Sequence, residues 1–118
     1  MKFYKCKDCG SIVILENACC AAGMEELLPN TTDAAGEKHV PVITVDGEQV
    51  CVAVGSVEHP MLPAHFIQWV VLETTNGYQK KVLQPEQKPV AQFVLAEGEE
   101  AVAAYEFCNL HGLWKAEA

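Results

Sequence analysis

The sequence predicts an all-β protein, in which an antiparallel β-sandwich of immunoglobulin-like type follows a small N-terminal metal-binding segment. Short runs rich in valine, isoleucine and aromatic residues recur between turn residues over residues 40–107. Two of the turns, Asp46-Gly47 and Asn76-Gly77, are dipeptides that favour β-hairpins. No stretch shows a sustained helical period, and half of the 118 residues are apolar, which is enough for a hydrophobic core.

The first 28 residues are predicted to form a small metal-binding domain. Cys6 and Cys9 form a CxxC pair followed by glycine, a turn in which two thiolates can point at one metal ion. Residues 11–18 predict a β-branched strand and a turn that brings Cys19 and Cys20 back to the first pair. Four thiolates suit a tetrahedral iron or zinc ion, and a segment this short needs such a stabiliser. A buried cysteine pair or a vicinal disulfide at Cys19 and Cys20 is the alternative.

The main domain is predicted to span residues 37–118, after a polar, turn-rich linker at residues 29–36. Its strands are short and are separated by hairpin turns or by loops that contain proline. The predicted strands cover residues 40–45, 48–54, 66–74, 78–83, 91–95 and 101–107. Cys51 lies within a strand and is expected in the core, whereas Trp69 and Trp114 are expected either in the core or as shields for a nearby site.

Charge and hydropathy exclude several classes of protein. The formal net charge is -8, and all eight basic residues are lysines, so nucleic acid is a poor candidate for a partner. No apolar run approaches the roughly 18 to 20 residues of a membrane span, and the N-terminus lacks the apolar segment of a signal peptide. Six cysteines in this context indicate metal binding or catalysis. We therefore expect a cytoplasmic protein that binds neither nucleic acid nor membranes.

The residues most able to carry chemistry are the four histidines and Cys108. His39, His59, His65 and His111 lie beside turns or prolines, and Cys108 stands three positions before His111 where the last predicted strand ends. Taken singly, each histidine is more simply a surface or core residue. Taken together, residues at strand ends can converge on one end of a sandwich. Five ligands exceed the four of a structural zinc site and favour iron with one open position, where a small ligand would react.

Three stretches of the main domain resemble motifs of the superoxide reductase family. They are EKHVPVI at residues 37–43, GSVEHPM at residues 55–61 and CNLHGLW at residues 108–114. The N-terminal cysteines resemble the desulforedoxin-like domain of desulfoferrodoxin, the two-iron form of this family. The interval between the two cysteine pairs is shorter here than in the family, and Ala21 replaces the glycine that follows the second pair.

The resemblance implies an oxidoreductase that reduces superoxide by one electron to hydrogen peroxide. It implies a non-haem iron with Cys108 as the axial ligand and four equatorial imidazoles, from His39, His59, His65 and His111. Glu37 matches the family's glutamate that can occupy the sixth position of the oxidised iron. Lys38 matches the lysine beside the open face of the iron.

The resemblance also extends to a second metal and to partners. It implies an iron, or a zinc, at the four N-terminal cysteines, which are Cys6, Cys9, Cys19 and Cys20. It further implies a homodimer and a rubredoxin-type electron donor.

Two other functions stay open from the residues alone. The spacing of Cys108 and His111 on a sandwich also resembles the copper site of cupredoxins, in which Met61 would be the axial ligand of an electron-transfer protein. That assignment leaves two histidines unexplained. The second alternative is a structural zinc protein that acts by binding a partner.

Overall fold

The structure is a computed structural model, and it describes residues 1–16 and 22–118. Within these ranges the chain forms ten β-strands and one short helix. The strands are β1 (Lys2–Cys6), β2 (Ile12–Leu15), β3 (Met24–Leu27), β4 (Pro41–Asp46), β5 (Gln49–Val54), β6 (Ile67–Thr74), β7 (Gly77–Val82), β8 (Val90–Val94), β9 (Ala101–Cys108) and β10 (Gly112–Glu117). The helix is α1 (Gly36–His39). The predictions that concern Cys19 and Cys20 lie outside the described residues.

The strands pair in three antiparallel sheets, with the orders β2-β1-β3, β10-β9-β6-β7 and β4-β5-β8. The second and third sheets enclose the main core, because buried residues of β5 and β8 pack against buried residues of β6 and β9. Strand β5 shows the expected alternation, with Val50, Val52 and Val54 facing inward. The predicted all-β antiparallel sandwich is confirmed.

The N-terminal sheet covers the outer face of the β10-β9-β6-β7 sheet. Phe3 stacks on Trp69 with ring centroids 5.5 Å apart and meets Tyr105 at 4.8 Å. These residues belong to a second apolar cluster that also contains Phe107 and Leu113. Strands β6 and β9 are therefore buried on both faces, which explains their nearly continuous apolar runs.

Several details differ from the sequence-based predictions. Helix α1 begins at the last residue of the predicted linker, and the C-terminal residues form an unpredicted strand, β10, that pairs with β9. Cys51 is half-buried on the outer face of its sheet, beside Gln92, so its expected place in the core is wrong. The boundaries at residues 1–28, 29–36 and 37–118 stay predictions. None of the described helical residues belongs to a helix long and apolar enough to cross a membrane.

Candidate metal centre

One end of the sandwich brings together the five side chains that the sequence singled out. His39 is the last residue of α1, and His59 and His65 lie in the loop between β5 and β6. Cys108 is the last residue of β9, and His111 lies in the turn before β10. One ligand atom from each side chain lies within 4.8 Å of the ligand atoms of all the others.

The four imidazoles form a closed ring. Going round it, each histidine contacts the next in the order His39, His59, His65, His111 and back to His39, with ring centroids between 4.6 and 5.1 Å apart. Neighbouring ring planes lie between 76° and 86° to each other. The Cys108 sulfur lies 3.5 Å from His59 Nε2 and 3.9 Å from His111 Nδ1. Five potential ligand atoms thus surround one point.

Backbone carbonyls fix the tautomers of two rings. His39 Nδ1 lies 2.7 Å from the carbonyl oxygen of Ala35, and His59 Nδ1 lies 2.6 Å from that of Pro60. A carbonyl can only accept, so each Nδ1 carries the proton and each Nε2 carries a lone pair. The two Nε2 atoms are nevertheless only 3.1 Å apart. Two lone pairs at this distance require a positive charge between them.

The spacing fits a metal ion. Two nitrogen atoms bound at right angles to one ion, with bonds of about 2.1 Å, lie about 3 Å apart. The observed separations are 3.1 Å for His39 and His59 and 3.1 Å for His39 and His111. His65 Nε2 is buried and has no hydrogen-bond partner among the described residues. A metal ion would satisfy this orphaned atom and the facing lone pairs together.

Burial keeps three of the histidines neutral and so able to bind a metal. Desolvation, together with the neighbouring histidines, lowers the pKa of His59 to about 4. Desolvation also lowers the pKa values of His39 and His65. Near pH 7 these rings are therefore not protonated, so a proton does not supply the positive charge that the facing lone pairs require. A metal cation can supply it.

Cys108 is fully buried, and its burial raises the pKa of the thiol. The backbone amides of Leu110 and His111 act in the opposite direction, because their hydrogen bonds to sulfur favour the thiolate. Glu106 lies two residues earlier, and neither of its carboxylate oxygens has a hydrogen-bond partner in the part of the chain that the structure describes. Its burial raises its pKa to about 9, so it is neutral near pH 7 and adds no negative charge beside the thiol.

Aromatic packing closes the inner side of the cluster. Trp114 stacks on His39 with ring centroids 4.9 Å apart, and its indole N–H donates to the carbonyl oxygen of His111. Trp114 therefore shields the site, one of the two roles expected for it. Met61 does not act as the copper alternative requires, because its sulfur accepts a hydrogen bond from the backbone N–H of Ile67.

The outer side of the cluster opens into a cavity of about 260 Å³. Residues from three of the chain segments that form the site line this cavity. All four histidines line it, together with Lys38, Ala34, Ala35 and Pro60. Lys38 thus lies at the cavity, on the side of the cluster where none of the five proposed ligands is placed. Glu37, the neighbouring residue of α1, is exposed and does not line this cavity.

The first N-terminal cysteine pair has the geometry of a metal-binding turn. The backbone N–H of Cys9 lies 3.5 Å from the Cys6 sulfur, and Gly10 takes a positive φ of 74°. Hydrogen bonds from Ser11 lower the pKa of the exposed Cys9 thiol to about 7. Two sulfur ligands are thus close together at this turn, while the other two predicted ligands lie outside the described residues.

Sequence reasoning missed the groups that orient the ligands. The carbonyls of Ala35 and Pro60 carry no side-chain signature, and only the tertiary structure assigns them. The sequence pattern predicts a strand at Glu106 but not the burial of its carboxyl group. The Asn109 side chain forms hydrogen bonds with two backbone groups of the His65 loop. The one sequence feature that could have pointed to Asn109 is its place inside the CNLHG motif.

Comparison with known proteins identifies the family. A family model described as desulfoferrodoxin matches residues 31–117. A desulfoferrodoxin from Syntrophotalea carbinolica is 46% identical over 123 residues, which cover 99% of this chain and 96% of that protein.

Solved structures agree with this result. The crystal structure of a superoxide reductase from Treponema pallidum matches with a TM-score of 0.84 and 38% identity, over 99% of this chain and 100% of that chain. A superoxide reductase (1Fe-SOR) from Giardia intestinalis matches with a TM-score of 0.60 and 31% identity, over 70% of this chain and 97% of that chain. The resemblance seen in the sequence is confirmed, and the chain belongs to the desulfoferrodoxin family.

Proposed function

We propose that this protein is a superoxide reductase, an enzyme that reduces superoxide by one electron to hydrogen peroxide at a non-haem iron. The observation that carries the proposal is the closed ring of four imidazoles beside one buried thiol. Relatives named superoxide reductase support the same conclusion. The proposed iron ligands are His39, His59, His65, His111 and Cys108.

Ferrous iron, when bound, would supply the single electron and a position at which a small anion can react. The chain would supply the surroundings. The carbonyls of Ala35 and Pro60 hold two rings in the tautomer that presents Nε2. The amides of Leu110 and His111 stabilise the thiolate form of the sulfur. With iron bound, superoxide would gain that electron together with two protons, which water entering the open cavity can supply, and would leave as hydrogen peroxide.

Lys38 and Glu37 are proposed to act on either side of this reaction. Lys38 lines the cavity, and its ammonium would draw superoxide toward a chain whose net charge is -8. Glu37 lies outside the cavity wall, on the same short helix as His39. We propose that it reaches the open position only after oxidation of the metal, when it helps to displace the product.

A second metal and an external donor complete the proposal. Cys6 and Cys9 would bind an iron or zinc ion together with Cys19 and Cys20. The proposed donor is a rubredoxin-type protein, which returns one electron after each turnover. We also propose a homodimer in the cytoplasm, where reducing conditions keep thiols available for metals. The four described cysteines, which are Cys6, Cys9, Cys51 and Cys108, are free thiols and are consistent with that location.

The product yield tests the proposed reaction. Iron-loaded protein in its reduced state is exposed to pulses of superoxide, and hydrogen peroxide and dioxygen are both measured. A reductase produces one hydrogen peroxide for each superoxide and releases no dioxygen. Dismutation would instead divide superoxide equally between the two products. That second result, or no reaction faster than the spontaneous one, would reject the proposal.

Cys108→Ser tests the ligand set, with Cys51→Ser as the matched control. Serine at position 108 should remove the visible charge-transfer band that arises from the Cys108 thiolate and reduce the rate at least about a hundredfold, because a hydroxyl is a poor substitute for the thiolate. Cys51 makes one contact with Gln92 on the outer face of its sheet, so its replacement should preserve both. An unchanged spectrum and rate in Cys108→Ser would exclude this thiolate as a ligand.

A further inference from the structure

Asn109 joins the two ligand-bearing loops of the metal centre. Its side-chain oxygen accepts a hydrogen bond of 3.0 Å from the backbone N–H of Phe66, and its side-chain N–H donates one of 3.0 Å to the carbonyl oxygen of Ala64. Its backbone N–H also donates to the carbonyl oxygen of Phe66, at 3.2 Å. Ala64 and Phe66 are the residues on either side of His65, so one carboxamide brackets a ligand.

His65 depends on this bracket more than His39 and His59 do. The rings of His39 and His59 are each held by a backbone carbonyl at Nδ1. No hydrogen bond to the ring of His65 occurs within the described part of the chain, and its buried Nε2 has no partner. Only its backbone is fixed, through a two-bond bridge to Leu62 and through the flanking groups that Asn109 binds.

We propose that Asn109 is a positioning residue that fixes His65 relative to Cys108 and His111. Asn109 directly follows Cys108, so it ties the loop of one ligand to the backbone next to another. The inference rests on the proposed metal site, and it adds the residue that keeps the imidazole of His65 in place beside the other three. Without the carboxamide, the 59–65 loop keeps its internal bridge but loses its side-chain link to the cysteine turn.

The test measures release of Co²⁺ from the loaded protein into excess chelator, followed by the part of the thiolate absorption band that Cys108→Ser removes. Asn109→Ala should release Co²⁺ about tenfold faster than the wild type, in the range expected when a group that orients a ligand is removed. Asn109→Asp keeps the acceptor for the Phe66 N–H and loses the donor to Ala64, so its release rate should fall between the two.

Asn30→Ala is the matched control. Asn30 makes the same kind of brace, accepting from the backbone N–H of Lys115 at 2.8 Å and donating to its carbonyl oxygen at 3.1 Å. Asn30 also has a φ of 61°, so alanine there adds backbone strain. The control should therefore lower the melting temperature at least as much as Asn109→Ala, yet release Co²⁺ at the wild-type rate.

A double-mutant cycle with His65→Ala isolates the route of the effect. The four remaining ligands still match the number that holds a divalent ion in many sites. If Asn109 acts through His65, adding Asn109→Ala to His65→Ala should not accelerate release any further. Additive effects, or equal release from Asn109→Ala and Asn30→Ala, would overturn the inference. Failure of the wild type to show a thiolate-to-Co²⁺ band that depends on Cys108 would instead count against the proposed metal site itself.

Discussion

Lys38 brings a single positive charge to the cavity beside the four imidazoles. Its helix neighbour His39 is a proposed ligand, so the distance from the ammonium to the metal is restricted by the backbone. A protonated ammonium cannot be a metal ligand, and its contribution must be electrostatic. Lys38 either attracts superoxide to the cavity or is only a solvated surface lysine, and the two roles predict different rates.

Lys38→Ala should slow the second-order reaction with superoxide about tenfold, equivalent to roughly 1.4 kcal/mol in the barrier. The wild-type rate should fall as salt rises, since exposed charges are screened over about 8 to 10 Å at moderate ionic strength. This dependence should flatten in the mutant. Lys2→Ala is the control, because it removes an equal charge from a strand that contributes nothing to the cavity. Pulse radiolysis across a salt series gives the rates, and parallel curves with equal rates would leave Lys38 without a steering role.

The sequence could predict which side chains converge, but not what holds them. Histidine and cysteine are few and chemically distinct, and their places beside turns and prolines are visible in the sequence. The carbonyls of Ala35 and Pro60 look like any other backbone groups until the chain is folded. The strand pattern likewise gives no warning that Glu106 is completely buried, because strand β9 is covered on both faces.

At the scale of elements, helix α1 is placed by close contact with Gly55. A Cβ atom at Gly55 would lie 2.7 Å from the carbonyl oxygen of Glu37 and 2.9 Å from the carbonyl carbon of Lys38. Both are backbone atoms of the helix, so they cannot move aside as a flexible side chain would. The N–H of Val57 also donates to the Glu37 carbonyl, at 2.8 Å. The stretch that follows β5 therefore sets the position of the helix that carries His39.

Gly55→Ala should displace α1 and weaken metal binding while most of the sandwich stays folded. We expect the affinity for Co²⁺ to fall by at least about tenfold, because the ring of His39 moves with its helix. Gly36→Ala is the control on the helix itself, since a Cβ there meets nothing within 4 Å. Metal titration and far-ultraviolet circular dichroism measure the two effects. Equal affinities in the two variants would mean that the contact with Gly55 does not position the helix.

Two of the elements that the sequence did not predict, helix α1 and strand β10, carry little local signal. Helix α1 has four residues, which is too few to show a helical period, and its place is fixed by tertiary contact. Strand β10 follows directly on the CNLHG turn, where Gly112 has a φ of 78° that favours a sharp reversal. The six strands predicted in the main domain are long enough to show their pattern, and all six occur with ends shifted by at most one residue.

At the scale of the whole molecule, the N-terminal sheet and the sandwich share an apolar cluster. The sequence suggested that a bound metal would be the main stabiliser of the N-terminal segment. The structure adds a second source of stability, because Phe3 is 1% exposed and packs against Trp69 and Tyr105. Burial of this ring joins the two parts of the chain without any metal.

Phe3→Ala should therefore lower the free energy of unfolding by about 3 to 5 kcal/mol, the usual cost of removing a buried phenylalanine. The loss should persist in protein stripped of metal by a chelator, because the contact is apolar. Val45→Ala is the control: Val45 is 52% exposed, and its replacement should change the stability by about 0.5 kcal/mol or less. Denaturant titrations give the free energies. The thiolate band of Cys108 should survive in Phe3→Ala, since Cys108 belongs to the core on the opposite face of the sheet. If metal-free Phe3→Ala were as stable as the metal-free wild type, the N-terminal sheet would not be docked by this ring, and the N-terminal metal would be left as its stabiliser.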